Sequence, residues 1–165
     1  MFLRTKIIKG NTYLYAIENK WYKRKKASRQ RTTKYLGKCI KLEQKDRFPF
    51  EKEKTYFKLT PYKKIIEDLV IHELKNHGIN KNSRHFNHSP KFRLNPYLTP
   101  AINFELNEGF LCNYTLNKAY NFKFKSTSLK DRAKELANIL LQTGINIDDI
   151  LFVKLYQKLS PEQKP

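Results

Sequence analysis

The first 41 residues carry thirteen Lys and Arg against a single acid, Glu18, and this density constrains the fold more than any other feature. Cations so crowded cannot be buried without partners. Whatever the segment forms must show a charged surface to water or to an anion. Its pattern says what it forms. Phe2–Lys9 runs into the turn dipeptide Gly10-Asn11. Thr12–Glu18 then sets Tyr13, Tyr15 and Ile17 on one face, with the period of two that marks a strand. Trp21–Lys26 follows, and Arg29–Leu36 is again β-branched and alternating. The spacing predicts a small antiparallel sheet of three strands. It also predicts a basic hairpin tip over Lys23–Ser28 and a strand end or bulge at Gly37.

The remainder is patterned differently. Residues 42–58 hold charges of both signs around Phe48-Pro49-Phe50 and read as a connector. Thr60, Pro61 and Gly78 bracket a helix whose stripe is Ile65, Ile66, Leu69, Val70 and Leu74, with Lys63 and Lys64 facing away. Residues 79–90 are rich in Asn, Ser and His and read as loop. Residues 91–125 read as β: Phe92–Leu94, Ala101–Leu106, a turn at Asn107–Gly109, Phe110–Leu116, and a short strand over Asn121–Lys125. Ser128 opens a helix with stripe Ala133, Leu136, Ala137, Leu140 and Leu141, ended by Gly144. A last helix near 148–158 carries Ile150, Leu151, Val153 and Leu155. The expected fold class is therefore α+β. A basic N-terminal β-ribbon or small sheet precedes a helix, a second antiparallel β-meander and a C-terminal helical pair. The expected divisions are 1–41, a connector over 42–58, an α+β domain over 59–159 and a disordered tail over 160–165.

Composition narrows the function. The chain has 165 residues, the size of about one domain. It is 13% aromatic, unlike disordered chains. Its formal charge of +19 points to a polyanionic partner, nucleic acid being the commonest. The longest apolar runs are too short for a membrane span, and the first residues lack the apolar core of a secretory signal. Cys39 and Cys112 do not make a disulfide framework. An intracellular, cytoplasmic protein of the nucleoid or ribosome fits these features, with no membrane partner.

The chemistry is concentrated in the first segment. Six cations fall within the nine residues from Lys23 to Arg31 and repel one another unless an anion is present. The expected nucleic-acid-binding residues are Lys20, Trp21, Tyr22, Lys23, Arg24, Lys25, Lys26, Arg29, Arg31 and Lys34. The cations would neutralise phosphates, and Trp21 or Tyr22 would contact bases or sugars. Any base specificity would come from Arg29 and Arg31, because Arg can bind guanine through two bonds. Tyr13, Tyr15 and Tyr35 have two readings, core of the small sheet or stacking groups.

The stretch Met1–Lys6, Lys9–Glu18 and Arg29–Lys38 resembles the N-terminal leader of some prokaryotic insertion-sequence transposases and related DNA-associated proteins. The shared pattern is an aromatic-rich strand ending in Glu, a short basic insert and an Arg-Gln-Arg…Tyr-Leu-Gly close. The resemblance covers about 38 residues. It implies a DNA-associated module, not transposase chemistry, since no carboxylate triad pattern follows residue 42.

Other constellations are weaker. The helices at 128–143 and 148–158 have helix-turn-helix lengths. However, Leu140 stands where a small residue should be, and Asp148 and Asp149 would face phosphate. A plain helical hairpin is the better reading. His85 and His88 are three apart, but His72 and His77, five apart, do not share a helix face, and Cys39 and Cys112 are not paired as CxxC. Polar loop histidines are the better reading than a zinc site, and no metal or other cofactor is expected. Glu105 and Glu108 flank a turn without the Lys of a nuclease motif, and no phosphate-cradling or nucleophile motif is present. The sequence thus favours a non-enzymatic nucleic-acid-binding protein, DNA ahead of RNA. An RNA- or ribosome-associated structural protein is the alternative, and a small metal-dependent nuclease comes third. Residues 59–159 would dock a protein partner or a second copy.

Overall fold

The computed structural model describes residues 2–79 and 102–160. Three strands, β1 (Phe2–Ile8), β2 (Asn11–Tyr22) and β3 (Ala27–Lys41), come first. Helices α1 (Lys54–Leu59) and α2 (Tyr62–Asn76) follow, then β4 (Ile102–Leu106) and β5 (Gly109–Leu111). The chain closes with α3 (Asn113–Tyr120), α4 (Leu129–Thr143) and α5 (Asp149–Leu159). The fold is α+β. No helix of the described residues is long and apolar enough to cross a membrane.

All five strands lie in one sheet, in the order β1-β2-β3-β4-β5. β3 and β4 are parallel, and every other pair is antiparallel. This corrects the expectation of a three-stranded sheet beside a separate antiparallel meander. A parallel pair needs a long crossover, and here α1 and α2 lie in the connection. The charge-dense segment is thus hydrogen-bonded directly to the rest of the protein. The β2–β3 pairing skips Leu36 and Thr33 in turn, giving two bulges on β3. Gly37 sits at the first with φ 119°, as its sequence position suggests. The buried Asn103 of β4 donates to the Leu36 and Lys38 carbonyls at 3.0 and 3.2 Å, satisfying backbone beside that bulge.

The main core lies beneath β4 and β5. Ile65, Ile66, Leu69, Val70 and Leu74 of α2 are all buried there, with Leu116, Leu136, Leu140, Leu151 and Leu155. The α2 stripe and the outward Lys63 and Lys64 follow the sequence reading. Asp148 caps α5 by accepting from the Leu151 amide at 2.7 Å. A smaller cluster joins Leu14 of β2 to Cys39 and Cys112. Burial, with Glu105 close by, pushes the Cys39 thiol up to about 12.

Three expectations are corrected. Residues 113–120 form α3 rather than a strand. The alternation Phe110, Cys112, Tyr114, Leu116 looks like β, but the buried set Cys112, Thr115, Leu116, Ala119 has helical spacing. The Thr115 hydroxyl accepts from the Cys112 amide at 3.2 Å and starts the helix. Residues 121–125 have no strand partner among the described residues; Phe122 and Phe124 instead pack on the main core. The two C-terminal helices are not primarily a mutual hairpin. α4 packs on α3 and β5, while α5 packs on α1. The expected strand at Phe92–Leu94, His85 and His88, and tail residues 161–165 lie outside the described residues.

Candidate nucleic-acid interface

β1 ends its pairing at Phe2 opposite Ile17. Beyond that point β2 and β3 continue as a two-stranded arm, Glu18–Tyr22 paired with Ala27–Arg31. Five residues per strand reach about 17 Å. Lys23–Lys25 make a 3₁₀ turn, and Lys26 at φ 45° closes it, its amide donating to the Lys23 carbonyl at 3.3 Å. The basic tip therefore lies where the sequence puts it.

Register divides the arm into two faces, because directly opposed residues share a face and neighbours alternate. Lys20 opposes Arg29, Glu18 opposes Arg31, and Lys34 opposes Ala16. These residues and Tyr22 lie on one face. Trp21 opposes Ser28 and Asn19 opposes Gln30, on the other. Lys20, Lys23, Arg24, Lys26, Arg29, Arg31 and Lys34 are all exposed. Among the described residues none of them is in an ion pair. The Lys20 ammonium lies 5.9 Å from the centre of the Tyr22 ring, on its own face.

The structure does not bring all ten expected residues together. Trp21, 61% exposed, points away from the face of Arg29 and Arg31, whereas Tyr22 shares it. Trp21 belongs with a group that sequence reasoning only half found. Tyr15 opposes Tyr35 and Tyr13 opposes Lys38. The Tyr35 ring stands 5.3 Å from Tyr15 and 6.1 Å from Tyr13. Tyr35 is 53% exposed, so these rings are not core. Arg4 opposes Tyr15 and Lys6 opposes Tyr13 from β1. The Lys6 ammonium is 5.0 Å from the Tyr15 ring, and Arg4 donates to Gln30 at 3.1 Å. Arg4, Lys6 and Lys38 are not singled out by the sequence alone. The signal is nonetheless present: each alternates in step with a tyrosine once the strand pairing is known.

The sheet thus has a cationic face at the arm and a face of clustered tyrosines with three further cations. The first suits a phosphate backbone; the second suits exposed bases. Elsewhere, Glu105 lies in β4 opposite Lys41 and Phe110, and Glu108 lies in the turn before β5. His77 is buried against Glu73, Nδ1 to Oε1 3.6 Å, and Glu73 also accepts from the Asn107 side chain at 2.8 Å. That network ties the end of α2 to the β4–β5 turn. Among the described residues no three His, Cys, Asp or Glu converge as a metal site. No protein-family model, curated protein or solved structure matches this chain.

Proposed function

We propose that this is a non-enzymatic nucleic-acid-binding protein that grips phosphates with its β2–β3 arm. One observation carries the reading: Lys20, Arg29, Arg31 and Lys34 share one exposed face, next to the tip lysines, and within the paired arm Glu18 is the one acid on it. A two-stranded ribbon fits a DNA major groove, about 12 Å wide. The resemblance of residues 1–38 to transposase leaders favours DNA. Tyr22 shares this face and would contact a sugar or base, and Arg29 and Arg31 would read guanine.

A second reading rests on the opposite face. Tyr13, Tyr15 and Tyr35 form a partly open row of tilted rings in contact beside Arg4, Lys6 and Lys38. Sheet-borne aromatics stack on unpaired bases, the usual mode for single-stranded RNA. An RNA-associated role follows from that face.

Fluorescence anisotropy with duplex DNA, single-stranded DNA and a structured RNA, each across a salt series, tests both. Tightest binding to duplex with a steep salt slope supports the first reading. Preference for RNA supports the second. Equal, weak binding to all three contradicts both.

A further inference from the structure

Away from the arm, α1 and α5 pack against each other and leave a cleft of about 590 Å³ between them. Lys54 and Lys58 line it from α1, and Lys154 and Lys158 line it from α5. Each pair is spaced i, i+4, so its two ammonium groups project from the same side of their helix. Like charges at that spacing destabilise a helix, and here two such pairs face one cavity. Two other helical lysines have acidic partners: Lys64 meets Glu67 and Asp68, and Lys134 meets Asp131. Among the described residues none of the four cleft lysines is in an ion pair, and no carboxylate lines the cleft.

The cleft also has a polar group waiting for a partner. Ser160, which ends α5, is 9% exposed and lines the cavity. Its buried Oγ has no hydrogen-bond partner among the described residues. Buried hydroxyls are normally satisfied, and this one is left without a partner in the residue that closes the four-lysine cleft. Phe57 lies against the same cavity, with the Lys154 ammonium 5.2 Å from its ring centre. Lys158 is held in place by donating to the Lys58 carbonyl at 2.8 Å.

We propose that this cleft is a phosphate-binding site separate from the arm. Phosphate oxygens would accept from the lysine ammonium groups and from the Ser160 hydroxyl. Two sources share this chemistry: the backbone of a bound nucleic acid, and a free phosphorylated small molecule, which the volume would hold. The site does not depend on the arm's function.

The test is an amide NMR titration of the full chain with inorganic phosphate, at constant ionic strength maintained with chloride. The expected result is saturable shifts at Phe57, Lys158 and Ser160. Ser160→Ala should weaken apparent affinity several-fold, and Lys54→Gln with Lys154→Gln should abolish the response. A Lys20→Ser, Arg29→Ser, Arg31→Ser variant should bind phosphate unchanged, which separates this site from the arm. An oligonucleotide that displaces phosphate identifies the backbone as the source; one that leaves it bound identifies a small phosphorylated ligand. Non-saturating shifts, or a response surviving in the double lysine variant, would overturn the proposal.

Discussion

Lys20 and Arg29 stand directly opposite each other on β2 and β3, two exposed cations in register on one face. Like charges so placed are unfavourable in a sheet, by up to about 1 kcal/mol. A bound phosphate would convert that repulsion into attraction. The arrangement therefore predicts that stability and binding trade off at this pair. Arg29→Glu should raise stability by about 0.5 kcal/mol, measured by urea denaturation. The same change should weaken nucleic-acid binding by tenfold or more in a filter-binding assay.

The tyrosine face should behave independently. Tyr35→Ala removes the ring between Tyr13 and Tyr15. Stacking on an aromatic contributes about 1–3 kcal/mol per base. Affinity for single-stranded nucleic acid should therefore fall at least fivefold while duplex affinity changes by less than twofold. Parallel titrations with single-stranded and duplex forms of one sequence check this.

Gly109 tests the packing that holds the sheet to α4. A Cβ there would fall on the Leu141 carbonyl and the Gly144 amide, both backbone. Backbone cannot swing aside as a flexible side chain can. Gly109→Ala should cost about 3 kcal/mol or more, the range of severe overpacking. Gly10→Ala meets nothing within 4 Å and bears only the strain of φ +76°; its cost should be about 1 kcal/mol. Thermal melts of the two variants give the comparison.

The pH dependence should pass through Asp68. Its partial burial acts to raise its pKa, but hydrogen bonds from Lys64 at 2.8 Å and the Tyr56 hydroxyl at 2.5 Å outweigh that and hold it below the usual value. A lowered folded-state pKa adds stability above the unfolded value, 3.8, and loses it as pH falls through the folded value. Acid denaturation should therefore steepen below about pH 4. Asp68→Asn should flatten that limb and cost about 1–2 kcal/mol at pH 7. Circular-dichroism urea melts at pH 3, 4, 5 and 7 measure both effects.

Local rules make much of this fold readable. Alternation marks β1, β2 and β3, and i, i+4 spacing with Pro61 and Gly78 marks α2. Asp148 and Gly144 mark the ends of the last two helices. What stays hidden depends on long-range pairing. Nothing local says that Lys38–Lys41 pairs in parallel with Ile102–Glu105, so the single sheet is not legible from the sequence. Phe110–Leu116 satisfies both strand and helix periods, and the Thr115 cap decides between them. The same limit applies at the site. The density of cations is visible, but the split of Trp21 from Arg29 follows only from register. So does the grouping of Arg4 and Lys6 with the tyrosines.

The most direct test of the arm's role is the salt dependence of duplex DNA binding, comparing the unaltered protein with a Lys20→Ser, Arg29→Ser, Arg31→Ser, Lys34→Ser variant. All four side chains are exposed, so the variant should keep its melting temperature within a few degrees. Its plot of log affinity against log salt should be shallower by about 0.9 for each phosphate no longer neutralised, or about 3.6 for four phosphates. A folded variant that binds with unchanged affinity and unchanged slope would contradict the account, because the arm would then not be what holds the nucleic acid.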